Sequence, residues 1–567
     1  MQTIGHSTSF ADGAKTPPLL EQVGLLDRLK LALICGALLG FSNAAYGVWW
    51  LAWLGLSPLL LLIFGSRSRM EAMLTGLTFG FAYHLLGLRF LLDLYPMTWL
   101  QGLGTGFAGL LIVFQLWVME SLHQAVLVGI FALFVRTLPL RAGYLPSLHR
   151  PFFPMLLSVP IIWIFLQWII APSPLFLGVP IDQLAYSQAR EPALIQIARY
   201  GGAQAVDFLI VLVNAAVAAL VLETTNLAGG FGRRIGFMSE KTGAVFDLIL
   251  ALAVCGLVFT LGRAQVLTDA AMPAYFQQPA PAAGFGAKVQ AKLRNAALAE
   301  FSPAIPVAVL QGALRSSAAS LPDAQNALQY LPYINNVGAS IIVLPACFAN
   351  GPLQSSGALT AKLAALAASQ KKDVMVGWRQ RFDSGIQDGV HIFSADRTNI
   401  DSDYTKFRLL PAIESTPLTF LDSMLPAAVK QHFSGGDDHI KAGTLTLMKS
   451  VFGRVGACIN EEIVYPDLIV SQVNRGASLL VDVSDLSSFH KSILGQELLA
   501  AAVLRAVENG RYVLISSNGG ESAVVDPFGV VTSAAVTGDA GLLLDRVQFL
   551  HNKTPYSRMC VWTPLYH

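Results

Sequence analysis

Gly456-Ala457-Cys458-Ile459-Asn460-Glu461-Glu462-Ile463-Val464-Tyr465-Pro466 reads as an apolar strand that breaks at an asparagine and a pair of acids, a strand-to-helix elbow. The pattern around it repeats the same grammar. Downstream, Ala477 to Val483 is a strand, Gln496 to Asn509 a helix, and Tyr512 to Ser516 and Ser522 to Asp526 are strands parted by a Gly-rich turn. Upstream, Ile305 to Leu310, Ala339 to Leu344 and Val374 to Gly377 are strands, with an alanine-rich helix from Gly357 to Gln370. Short β-branched runs alternating with Ala/Leu-rich helices indicate an α/β sandwich over residues 305–550.

The rest of the chain has another composition. Of 567 residues 54% are hydrophobic and only 13% charged, which soluble proteins rarely show, and the excess lies in residues 29–264. Apolar stretches near the ~20 residues needed to cross a bilayer recur at 30–46, 47–65, 72–94, 103–135, 154–171, 203–222 and 244–262. About seven membrane helices are therefore expected, after a polar segment 1–28 that reads as cytoplasmic and before an Ala/Pro/Gly-rich linker, 265–304; residues 551–567 form a tail. The first span reads as a retained anchor, because no small-residue cleavage site follows it. Arg28 and Lys30, Arg67 and Arg69, Arg136 and Arg141, and Arg233, Arg234 and Lys241 all fall on one side of alternating spans. The positive-inside bias makes that side the cytoplasm, and an odd number of spans then puts the sandwich outside. A net charge of +2 with no basic run excludes nucleic acid as a partner. Five cysteines without CxxC spacing give no disulfide framework and no zinc site; no metal and no cofactor is expected.

Several tracts in fixed order carry a resemblance. In the apolar half they are Gly40 to Leu61, Arg69 to Tyr95 and Pro160 to Leu222, closing with Asp207 to Ala216. In the other half they are Val309 to Gly312, Asn474 to Val481, Arg505 to Arg511 and Ser517 to Pro527. The chain resembles the apolipoprotein N-acyltransferase family of the carbon-nitrogen hydrolase (nitrilase) superfamily, bacterial inner-membrane enzymes that move an acyl chain from phospholipid onto lipoproteins. The resemblance implies a multi-span helical domain followed by an αββα nitrilase-type sandwich on the periplasmic side. It also implies a Glu/Lys/Cys triad in which Glu takes a proton, Cys attacks and Lys stabilises the oxyanion.

Read through that resemblance, the triad is degenerate. The Glu position after Ile342-Val343-Leu344-Pro345 is Ala346. The lysine pattern is intact from Tyr404 to Glu414, keeping Lys406 and the supporting acid Glu414. The Cys position is Asn460, with Glu462 as the second supporting acid. A carboxamide has no ionisable thiol or hydroxyl with which to attack a carbonyl. Taking Cys458 as nucleophile instead would shift the side chain by ~6.6 Å along the strand, and Cys347 would point to the opposite face of an extended chain. The Ser484 to Phe489 and Gln167 to Ile170 segments also depart from the family's pattern, and the chain ends soon after Trp562, where the family has a last span, so the sandwich is expected to be tethered at one end. If Lys406 still points into the old pocket, burial requires a carboxylate partner, Glu414 or Glu462. His391 and His490 are given no role. His84, inside a span, is a functional candidate whose bland alternatives are an interhelical hydrogen bond or a lipid headgroup. The expected function is a catalytically silent binding or scaffold protein of the inner membrane, with the bilayer and lipoproteins or other membrane subunits as partners. The alternative is an active acyltransferase using other groups.

Overall fold

The computed structural model describes residues 19–97, 104–141, 153–169, 180–225, 227, 240–276, 303–313, 328–350, 358–382, 385–394, 402–410, 414, 439–489, 492–535 and 539–560. Its first half is helical. Helix α1 spans Leu25–Gly40, a broken segment runs over Trp49–Phe64 and ends in α2 (Ser57–Phe64), and α3 (Arg69–Gly87), α4 (Gly106–Thr137), α5 (Met155–Ile169), α6 (Ala203–Thr224) and α7 (Glu240–Phe276) follow. Each of the seven apolar stretches coincides with one of these segments. Among the described residues, α4, α6 and the Thr242–Leu267 part of α7 are long and apolar enough to cross a membrane; Trp49–Phe64 and Met155–Trp168 are apolar but shorter. Helix α7 runs on to Phe276, so the first part of the expected linker is helical.

Two buried polar residues organise this half. Pro58 lacks an N–H and interrupts the second segment, and a bilayer offers no water to satisfy the freed groups. Asn214 of α6 does so: its Oδ1 accepts from the Leu56 and Ser57 amides at 2.9 and 2.8 Å, and its Nδ2 donates to Ala52 O at 2.8 Å. Arg28, fully buried, donates to the carbonyls of Leu62 (2.7 Å), Gly65 (2.9 Å) and Leu20, and pairs with Glu71 at 2.8 Å. It thus closes the carbonyl end of α2, where a cation is favoured by the helix dipole.

The second half is two six-stranded sheets face to face. Sheet one has the order β12-β1-β2-β3-β4-β5, from β1 (Ile305–Gln311), β2 (Ile341–Asn350), β3 (Asp373–Phe382), β4 (Gly385–Phe393), β5 (Ser402–Thr405) and β12 (Gly541–Val547). Sheet two has the order β11-β10-β9-β8-β7-β6, from β6 (Met448–Ser450), β7 (Gly453–Ile459), β8 (Leu479–Asp485), β9 (Val513–Asn518), β10 (Ala523–Val525) and β11 (Val531–Ala534). The β1–β2–β3 and β7–β8–β9 neighbours run parallel and are buried on both faces, which explains their unbroken apolar runs. Helix α8 (Ala358–Gln370) covers the first sheet; α9 (Pro466–Asn474) and α10 (Leu494–Asn509) cover the second. The expected αββα sandwich is what forms.

Helix α10 also touches the helical half, which accounts for its lack of a solvated stripe. Glu508, fully buried, accepts from the Ala203 amide at 2.7 Å at the start of α6 and pairs with Arg505 at 2.7 Å; Glu497 accepts from the Ala45 amide at 3.1 Å. A carboxylate at a helix N-terminus is where the macrodipole favours it. These contacts hold the sandwich against the helices.

Candidate active site

Strand β7 ends at Ile459 and the chain turns at once. Asn460 has φ +57°, the left-handed region that asparagine tolerates better than most residues, and the 3-10 turn Asn460–Val464 delivers Pro466 to the first position of α9. Glu462 fixes the turn from inside. Its Oε2 accepts from the Ile459 amide (3.0 Å) and the Tyr404 hydroxyl (2.9 Å), and its Oε1 accepts from the Phe407 and Arg408 amides, each at 2.8 Å. The side chain of Asn460 is buried and committed: Oδ1 accepts the Asp485 amide at 2.8 Å. A side chain at this elbow can hydrogen-bond and fill space, and it carries no nucleophilic atom.

Lys406 follows β5, and its ammonium, 1% exposed, lies 2.7 Å from Glu414 and 2.6 Å from Glu461. The pairing with Glu414 is the expected one. The second partner is Glu461, where Glu462 was expected, because Glu462 is already saturated by four donors in the turn. Burial alone would lower the lysine's pKa; Glu414 and Glu461 more than reverse this and hold it above the ordinary value. The two acids share one cation. Burial pushes Glu461 up to about 8, with Lys406 pulling it down and Glu414 pushing it up. Glu414 goes the other way: burial raises it, but Lys406 and the Leu410 amide (2.9 Å) that its Oε2 accepts favour its charge, and it stays below the usual range. The trio therefore holds one firm negative charge and a second that appears only in alkali. Glu462 is raised to about 7 by burial, against Lys406 and its amide donors.

Ala346 sits on β2, buried, and Gly377 of β3 lets the kinked strand come close: a Cβ there would be 2.5 Å from the Ala346 Cα. The register of β2 shifts between Leu344 and Ala349, and Cys347 has φ +56°. The expectation that Cys347 points away from the site, drawn from an extended chain, is therefore wrong. The bulge turns it toward Asp485, whose amide Asn460 holds. Burial foremost, and Asp485 with it, raise the Cys347 thiol well above the ordinary value. Cys458, in mid-strand beside Asp482, is raised by burial and then by Glu462. A thiol held in its neutral form is a poor nucleophile.

Sequence reading missed Glu461 and a neighbouring cluster. Arg379 grips Asp388 with two hydrogen bonds, 2.6 and 2.9 Å, directly across the β3–β4 hairpin, and His439 Nδ1 lies 3.8 Å from Asp388 and 4.0 Å from Glu414. The acidic doublet Glu461-Glu462 and the opposite charges at hairpin spacing were the available signals. Asp388, Glu414 and His439 bring donor atoms within 4.8 Å of one another, the one set among the described residues that could hold a metal ion. Its two carboxylates are already neutralised by Arg379 and Lys406, so the set reads as an ion-pair cluster. His391 is engaged by Asp403 at 2.6 Å, an ordinary cross-strand pair; His490 lies outside the described residues. His84 is bonded to Asp182 at 2.6 Å.

Residues 35–216 match the model of the apolipoprotein N-acyltransferase N-terminal domain, and residues 306–549 that of carbon-nitrogen hydrolase. The apolipoprotein N-acyltransferase of Gloeobacter violaceus is 26% identical over 539 residues, 93% of this chain and 89% of that one. That of a Nostoc species is 25% identical over 506 residues, 87% of each. Among solved structures, Saccharomyces cerevisiae Nit3, a member of branch 10 of the nitrilase superfamily, is 20% identical with a TM-score of 0.34, covering 47% of this chain and 96% of that one. Membrane-type helices followed by a carbon-nitrogen hydrolase fold, both matched in order, make this chain a member of the apolipoprotein N-acyltransferase family.

Proposed function

We propose that this chain is a catalytically silent member of its family, an inner-membrane protein whose sandwich serves as a binding or scaffold element in lipoprotein or lipid handling. One observation supports this above the rest: Asn460 occupies the elbow at the position assigned to the nucleophile, and its amide oxygen is spent on the Asp485 N–H. The position assigned to the base carries a methyl group, Ala346, and the retained lysine is neutralised by Glu414 and Glu461, which leaves its charge little to offer a developing oxyanion. The competing reading is an active acyltransferase with a relocated thiol. It draws on the left-handed Cys347 beside Ala346, and against it stands the burial that keeps that thiol protonated. Intact-mass analysis of the protein after incubation with phospholipid separates them. No adduct is expected; a hydroxylamine-labile gain of acyl-chain mass on Cys347 or Cys458 would overturn silence.

The orientation in this reading is N-terminus inside and sandwich outside, from the basic residues at Arg67, Arg69 and Arg136. A periplasm-dependent phosphatase fused after Asp526 is expected to be active. Fluorescence there from a reporter that folds only in the cytoplasm would reverse the topology.

A further inference from the structure

Helix α10 meets the helical half at two points about three turns apart, roughly 16 Å at 1.5 Å per residue, and the two are built differently. At its C-terminal end Glu508 accepts from the Ala203 amide with Arg505 against it at 2.7 Å, so that carboxylate has a counter-charge beside it. Near its start Glu497, fully buried, accepts from the Ala45 amide at 3.1 Å through Oε1, and its Oε2 has no hydrogen-bond partner among the described residues. Ala45 lies in the turn after α1, which the Tyr46 hydroxyl ties to Leu86 O of α3 at 3.0 Å. The contact between the halves is not filled along this stretch of α10. A cavity of about 400 Å³ runs beside Gln496, Ala500 and Val503, with Ala44 and Arg190 of the helical half also in its wall.

A carboxylate sealed from water with one donor and no ion pair is costly, whereas the neutral carboxyl still accepts from Ala45 through its carbonyl oxygen. The groups that face Glu497 do not cancel that cost. Asp182 is itself negative, and is engaged by His84 of α3 at 2.6 Å. Arg190 packs on the same turn, where a Cβ on Gly47 would lie 3.0 Å from its guanidinium, but it is exposed. The phenols of Tyr46 and Tyr83 also face Glu497, and Tyr46 in turn faces Arg89 and Asp93. Burial foremost pushes Glu497 up to about 8, with Asp182 adding to it and the Ala45 amide and Arg190 opposing. A carboxyl raised in this way stabilises the closed contact fully below the ordinary carboxyl range and loses that stabilisation as pH rises through about 8. Burial raises Glu508 too, but there Arg505 opposes it directly.

We propose that Glu497 is a proton-dependent clasp between the sandwich and the membrane helices: protonated, it seats the start of α10 on the Ala45 turn, and deprotonated it releases that end while the Glu508 end holds. The test is hydrogen exchange of the full chain in detergent, read by mass spectrometry on peptides covering residues 42–47 and corrected for the intrinsic pH dependence of exchange. Protection of this turn is expected to fall about a hundredfold between pH 6 and pH 8, tenfold per pH unit for one proton, and then to level off. Strand β8, in the sandwich core, is expected to keep its protection throughout. Glu497→Gln, which keeps an acceptor for the Ala45 amide and cannot ionise, is expected to be flat over the same range. Arg190→Gln, a change at an exposed residue, removes a facing positive charge and is expected to carry the levelling-off to higher pH. Should Glu497→Gln fail to fold, the direction of the Arg190→Gln shift decides alone. Unchanged protection of the parent turn, a fall shared by β8, a fall that survives Glu497→Gln, or a levelling-off that Arg190→Gln leaves in place would each overturn the clasp.

Discussion

At the residue scale the site is a problem in placing one buried cation. Lys406 is 1% exposed, and removing one member of a truly buried ion pair costs roughly 3–5 kcal/mol, far more than the ~0–1 of a surface pair. Lys406→Met is therefore expected to lower stability by about that amount, because the Glu414 carboxylate would be left buried without its counter-charge. Adding Glu414→Gln, which removes the stranded charge, should recover part of the loss; a parent-like unfolding midpoint for Lys406→Met would make the lysine a relic. The pH response follows from the same trio. A carboxyl whose native pKa is raised binds its proton more tightly folded than unfolded, so its stabilisation is complete below the ordinary carboxyl range and is lost as pH rises through the native value. For Glu461 that window runs from the ordinary range up to about 8, and for Glu462 up to about 7. The parent should thus lose stability between pH 5 and pH 8.5, and Glu461→Gln should lose less over the same interval. Identical slopes would show that Glu461 carries no proton in the native state. Lys406 and Glu414 were legible in the sequence because the pattern around them is intact. Glu461 was not, because which of two adjacent acids faces the lysine depends on a left-handed turn at Asn460 that no periodicity encodes.

Among the elements, the informative ones are those that violate their own geometry. The Trp49–Phe64 segment is a broken helix that stands in the membrane half only because Asn214 takes over the freed amides of Leu56 and Ser57 and the carbonyl of Ala52. Leaving a buried polar group unpaired costs about 1–3 kcal/mol, so Asn214→Leu, which strands three at once, is expected to cost several kcal/mol and to lower the yield of folded protein in detergent. An unchanged unfolding midpoint would mean that the break is satisfied by water. The Asp207 to Ala216 tract that contains this asparagine was visible in the sequence as a family feature, but its reason was not, since the partner lies more than 150 residues away. Strand β2 teaches the opposite lesson. Its apolar run was easy to read, and the extended geometry inferred for Cys347 failed because a bulge is set by contact with Gly377 of the neighbouring strand.

For the whole molecule, composition separated a helical half from a sandwich, and the strands and helices fell where alternation and apolar runs placed them, because parallel buried strands and membrane-type helices both leave long uninterrupted signals. What composition could not give is how the halves meet. The sequence marks Gln496 to Asn509 simply as a helix, yet in α10 Glu497 and Glu508 reach back to the amides of Ala45 and Ala203, joining the sandwich to the membrane helices. Such a scaffold can persist after its chemistry is lost, since none of these contacts involves the elbow. The central claim is that loss, and the most direct measurement is multiple-turnover acyl transfer from phospholipid to a diacylglyceryl-cysteine peptide, followed by mass spectrometry of the peptide. No acylated product is expected from the parent, nor from Asn460→Cys, which restores a thiol while Ala346 still offers no base. Acylated peptide accumulating beyond one equivalent of the parent protein would contradict the account.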